Sequence, residues 1–97
     1  MVLTQTVVCS PDTVAGNLRA ADADGIDSVW ITVDQSEEAV DGRLEREFET
    51  TFRLPVRAGL DAGTPVAILA RARDVAGFTD TVRQSLPVVL CALQRLN

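Results

Sequence analysis

The chain contains no histidine in its 97 residues. Ser-His-Asp and Cys-His machinery is therefore excluded within it, and so are the mixed Cys/His sites that commonly hold zinc. Lysine is also absent, so all nine basic residues are arginines, scattered along the chain against 14 acidic ones. A net charge of −5 without a basic cluster argues against nucleic acid and anionic membranes as partners, because both are bound through grouped Lys and Arg. There is no tyrosine and only one tryptophan, which is thin equipment for stacking on sugars. The two cysteines, Cys9 and Cys91, are too far apart for a Cys-x-x-Cys redox or zinc motif. No glycine-rich phosphate loop occurs. No apolar run approaches the ~20 residues of a membrane-spanning helix, so membrane insertion is not expected.

What remains is a chain of 46% hydrophobic residues, enough for one folded domain over 1–97. The clearest signal lies in L-R-A-A-D-A-D-G-I-D-S-V-W-I-T-V, residues 18–33. Val29, Ile31 and Val33 alternate with Trp30 and Thr32, the period-2 pattern of a strand with one face in a core. A second copy of this logic, A-R-A-R-D-V-A-G-F-T-D-T-V, covers residues 70–82. Both copies carry Arg-Ala, an Asp, a Gly and then a β-rich segment.

Taken in order, residues 2–9 read as a first strand, halted by Ser10-Pro11-Asp12. Residues 14–22 give a second strand, 22–27 an acidic turn, and 28–34 a third strand. The polar stretch 35–42, ending in Asp41-Gly42, reads as a loop. Residues 43–56 form the longest alternation, with Leu44, Arg46, Phe48, Thr50, Phe52, Leu54 and Val56 on one face. At that length it reads as two successive strands joined through a bulge. Residues 65–73 make a strand with Val66, Ile68, Ala70 and Ala72 inward and Ala67, Leu69, Arg71 and Arg73 outward. A final strand covers 78–90, interrupted by Pro87. Short, regularly spaced strands without a helical stripe predict an all-β sandwich.

The strings D-A-D-G-I-D-S-V-W-I-T-V-D and G-T-P-V-A-I-L-A-R-A-R-D-V-A-G resemble bacterial immunoglobulin-like domains, the β-sandwich modules of secreted and surface proteins. The likeness covers roughly residues 14–88 and lies in turns and strand faces. It implies an antiparallel immunoglobulin-like sandwich of about seven strands. The function it implies is a non-catalytic spacer or docking module that contacts neighbouring domains or a protein partner. The N-terminus lacks the basic start and small-residue cleavage site of a signal peptide. The expected setting is accordingly a domain of a longer exported chain, extracellular or at the cell surface.

In that topology the loops after the second and sixth strands share one end, bringing Asp22, Asp24 and Asp27 near Asp74 and Asp80. Two readings stay open there. The carboxylates bind Ca²⁺, which takes six to eight oxygen ligands, or they hydrogen-bond their own turns. The same topology often places first and last strands side by side, which would let Cys9 and Cys91 form a disulfide; the alternative is two free, buried thiols. It also sets the Trp30 strand beside the 65–73 strand. Trp30, Leu69 and Arg71 become the interaction candidates on an outward face; the alternative is a Trp30 that packs under the 35–42 loop or between arginine side chains. Rival functions are a calcium-dependent adhesive module, a carbohydrate-binding accessory domain that stacks a glycan on Trp30, and a stand-alone intracellular sandwich that recruits a partner. Catalysis is not expected, because Glu37 and Glu38 lie in a polar stretch and Glu45, Glu47 and Glu49 line an exposed strand face.

Overall fold

The computed structural model describes residues 1–91. Among these residues the fold is all-β, with five strands: β1 (Val2–Leu3), β2 (Asp12–Val33), β3 (Ser36–Val56), β4 (Pro65–Asp74) and β5 (Thr79–Pro87). All strand pairs are antiparallel. β2 is the hub and pairs with β1, β3 and β4, while β5 pairs with β4.

β2 is 22 residues long. Drawn straight it would span about 70 Å at ~3.3 Å per residue, more than the molecule's longest extent of 53 Å. It therefore bends. Its pairing with β3 is irregular between Ala21 and Ile26 and again between Ile26 and Ser28. β3 turns at the same level, where Arg43 (φ 58°) and Leu44 (φ 61°) are left-handed. Gly25 meets this corner with φ 99°, and a Cβ there would run into the Leu44 carbonyl, so the position calls for glycine. Both ends of β2 return to the same end of β3. Asp12 pairs with Val56, while Asp34, just past the other end, accepts a hydrogen bond from the Arg57 backbone N–H at 3.1 Å.

The sheet thus curls around one core. Val14 and Leu18 come from the first half of β2, and Val29, Ile31 and Val33 from the second. β3 adds Phe48, Phe52, Leu54 and Val56, β4 adds Val66, Ile68 and Ala70, and Val8, Ile26, Leu86 and Val88 complete the cluster. Each Val, Leu, Ile or Phe among them contributes about 1.5–3 kcal/mol when fully buried.

The expected strands at 14–22 and 28–34 are one continuous strand, because the acidic turn bends the backbone and interrupts its pairing only between Ala21 and Ile26. The expected loop at 35–42 is also strand. The true turn is only Asp34-Gln35, with Asp34 at φ 53°, and pairing resumes at once with Val33 opposite Ser36. From Ser36 to Asp41 half-buried and exposed positions alternate, but Ser36 and Glu38 hold inner positions and hide the pattern. These mergers leave five strands where about seven were expected. The first strand shrinks to Val2–Leu3, plus an isolated parallel bridge from Val8 to Val88. In the 43–56 alternation, Phe48, Phe52, Leu54 and Val56 are buried, whereas the corner swings Leu44 and Arg46 outward.

Candidate functional site: an acidic pole and an aromatic–arginine face

Asp22 and Asp24 lie in the irregular stretch of β2, and Asp74 ends β4 opposite Ile26. One carboxylate oxygen from each lies within 4.8 Å of the others. Asp74 is buried, only 7% exposed, and it organises the turn to β5. Its Oδ1 accepts from the Phe78 N–H at 2.8 Å, its own N–H donates to the Phe78 carbonyl at 2.9 Å, and its carbonyl accepts from the Gly77 N–H at 3.1 Å. Asp22 Oδ1 accepts from the Asp24 N–H at 2.8 Å. Two of the three carboxylates thus hold their own turns.

Asp27 is drawn away from this group. Its Oδ2 accepts from Arg73 Nη2 at 2.7 Å and Nε at 3.3 Å, and from the Ser28 hydroxyl at 3.0 Å. The Arg73 hydrogen bonds, and then that of Ser28, hold its carboxyl below the ordinary value of 3.8. Asp80 accepts from the neighbouring Thr81 N–H. Three converging carboxylates concentrate negative charge, and a calcium shell of six to eight oxygens would draw on both oxygens of each or on carbonyls and waters besides. A cleft of about 230 Å³ adjoins them, lined by Leu18, Ile26, Ala70 and Val82 together with Asp22, Asp74, Asp80, Arg19 and Arg71.

At the opposite pole Cys9 and Cys91 form a disulfide, with Cα atoms 5.7 Å apart. The bond sits beside backbone contacts that already join the two segments. The Val8 N–H donates to the Pro87 carbonyl at 3.0 Å, and the Val89 N–H to the Val8 carbonyl at 2.8 Å.

The outer face of β3, β2, β4 and β5 is ordered in rows by strand register. Glu37, Thr32, Leu69 and Arg83 form one row; Ala39, Trp30, Arg71 and Thr81 the next; Asp41, Ser28, Arg73 and Thr79 the third. Trp30 is half-buried, and the guanidinium carbons of Arg71 and Arg73 lie 4.8 and 5.9 Å from its ring centroid. Such stacking favours a cation on an aromatic face and holds both side chains in place. Leu69 is half-buried, and Arg71 and Arg83 are exposed. Trp30, Leu69 and Arg71 therefore share one surface.

No protein-family model, curated protein or solved structure matches this chain.

The sequence offers Trp30 packed between arginine side chains, as Arg71 and Arg73 are found, but it leaves Arg73 unassigned as the partner of Asp27. The signal for the arginine pair is its spacing, since Arg71 and Arg73 stand two residues apart on one strand face. Sequence reasoning overlooked Glu37 and Arg83, which only the strand register places in one row with Leu69. The ion pair between Asp34 and Arg57, at 3.4 Å, carries no local sequence signal.

Proposed function

We propose that this chain is a non-catalytic immunoglobulin-like module of a bacterial secreted or cell-surface protein, and that it docks a protein partner through the Trp30–Leu69–Arg71 face. The observation that carries the docking role is the half-buried Trp30 ring held beneath Arg71, beside the half-buried Leu69. Aromatic and arginine side chains are the residue types that most often dominate protein interfaces. The immunoglobulin-like assignment is supported by how the strands group. β1, the first half of β2 and the second half of β3 form one set; the first half of β3, the second half of β2, β4 and β5 form the other. The extracellular setting is supported by the Cys9–Cys91 bond, since disulfides persist in oxidising compartments.

The same geometry weighs against the glycan alternative, because two guanidinium groups already lie over the ring that a sugar would need. It also disfavours the calcium alternative, because Asp27 is committed to Arg73. The docking role is tested by placing a photo-reactive residue at Thr32, in the row beside Trp30, and at Asn17, outside that face, in cells producing the protein. Discrete protein adducts from position 32 and none from position 17 are the expected result. Equal labelling from both positions, or none from either, would sink the docking role.

A further inference from the structure

The Trp30 face is electrically lopsided across its strands. Its β3 side carries Glu37 and Asp41, while its β4 and β5 side carries Arg71, Arg73 and Arg83. Beside Trp30 on the acidic side lies a shallow concavity bounded by Asp27, Ser28, Ala39, Val40 and Asp41. A surface that is negative along one edge and positive along the other is complementary to itself after a half-turn about an axis parallel to the strands. That rotation exchanges β3 with β5 and β2 with β4 while keeping each row at its own height.

The consequences follow row by row. Glu37 of one copy comes to face Arg83 of the other. Trp30 faces Arg71, and the acid-rimmed concavity receives the arginines of the opposite copy. Thr32 faces Leu69, so the half-buried leucine is covered in both copies at once. The contact is isologous, and each attractive pair therefore occurs twice. No like-charged pair is brought face to face in any row: Arg71 and Arg73 on β4 lie about one strand spacing, ~4.8 Å, to the side of their symmetry mates and directly face Trp30 and Ser28.

We infer that the partner of the Trp30 face is a second copy of this chain, held by reciprocal Glu37–Arg83 and Trp30–Arg71 contacts. The inference rests on the docking role proposed above and names its occupant. Four strands at ~4.8 Å spacing and three rows make a small patch, in the class of transient contacts that bury less than about 1,200 Å² in total. The dimer is therefore weak and concentration-dependent.

Sedimentation equilibrium on the full, disulfide-bonded chain tests this from about 10 μM to about 1 mM, the range in which weak association is read. The wild type should approach twice its 10.4 kDa mass. E37R alone should stay monomeric, since it faces Arg83 with another cation, and R83E alone should stay monomeric for the mirror reason. Mixed in equal amounts, the two variants restore both pairs and should recover the doubled mass. D61R, with the same charge change as E37R in an exposed loop, should dimerise like the wild type. Equal melting temperatures among the variants would show that all of them fold. A wild type that stays at 10.4 kDa, or a mixture no heavier than its components, overturns the second-copy assignment. In that case adducts from position 32 to another protein would leave the docking role standing, whereas their absence would remove both.

Discussion

Breaking the disulfide should lower the melting temperature by roughly 20 °C, and the size of that shift can be worked from the fold. Cys9 and Cys91 close a loop with a sequence separation of 82. In the chain-entropy description such a closure removes about 15 cal/mol/K from the unfolded ensemble, or about 4.5 kcal/mol at 25 °C. The native state should barely respond, because the Val8 and Val89 backbone hydrogen bonds hold the two segments together without the bond. Nearly the whole effect therefore lies in the unfolded chain. With an unfolding entropy of ~2.1 cal/mol/K per residue, a chain this size loses about 0.2 kcal/mol per degree near its midpoint, which converts 4.5 kcal/mol into that shift. The assay is a pair of thermal melts of the wild type, with and without a reductant, alongside a double variant Cys9→Ala, Cys91→Ala. Intact mass, lighter by two hydrogens when oxidised, confirms the starting state. A shift below about 5 °C in both comparisons would refute the reasoning. It would mean that the unfolded chain keeps the two segments close without the bond.

Three further outcomes are expected. Calcium and chelator should give the same melting temperature, because Asp22 and Asp74 hold their own turns and Asp27 is paired with Arg73; Asp74→Ala should cost about 1–3 kcal/mol through the lost turn bond. A calcium-induced rise abolished by Asp74→Asn would instead assign these carboxylates to a cation. The lowered carboxyl of Asp27 adds stability above its unfolded value of about 3.8, and that stability is lost as pH falls through the lower folded value. Acid melts of the wild type should therefore fall away more steeply below about pH 4 than those of Asp27→Asn; superimposable curves would show that the Arg73 pair contributes nothing. Ile31→Ala, at a position fully shielded from solvent, should cost about 2–5 kcal/mol. Leu44→Ala, at a side chain 62% exposed, should fall within about 0.5 kcal/mol in urea titrations, and a large loss there would contradict the outward swing of the β3 corner.

The strand faces were legible in the sequence wherever one side of the sheet is wholly apolar. Val29, Ile31 and Val33, Val66, Ile68 and Ala70, and Phe52, Leu54 and Val56 all alternate cleanly and are all buried. The side of the sheet taken by Trp30 and Arg71 follows from the same period. What sequence could not distinguish was a bend from a break. Asp22-Ala23-Asp24-Gly25 has the composition of a turn, yet pairing resumes at Ile26 and the strand goes on. Nor could hydropathy detect residues 36–41 as strand, since an edge position tolerates Ser36 and Glu38 facing inward. The rows of the outer face depend on register across four strands, which no single segment encodes. The separation of Asp27 from the other acids arises at the shift between Ile26 and Ser28, where the pairing irregularity turns its side chain toward Arg73.

The continuity of β2 and β3 also bears on how the chain can find its fold. Asp12 and Val56, though 44 positions apart, belong to the same hairpin that closes at Asp34-Gln35. Starting from the Val33–Ser36 pair, each new rung lengthens an already closed loop by only about two residues, so distant partners meet without the entropy cost of a large independent closure. A topology rich in long-range contacts is thereby reached through a series of local steps, with the corner at Gly25 and Arg43 as the one place where the zipper must change direction. Pulsed amide labelling during refolding should accordingly protect Val29 and Val40 before Val14 and Leu54.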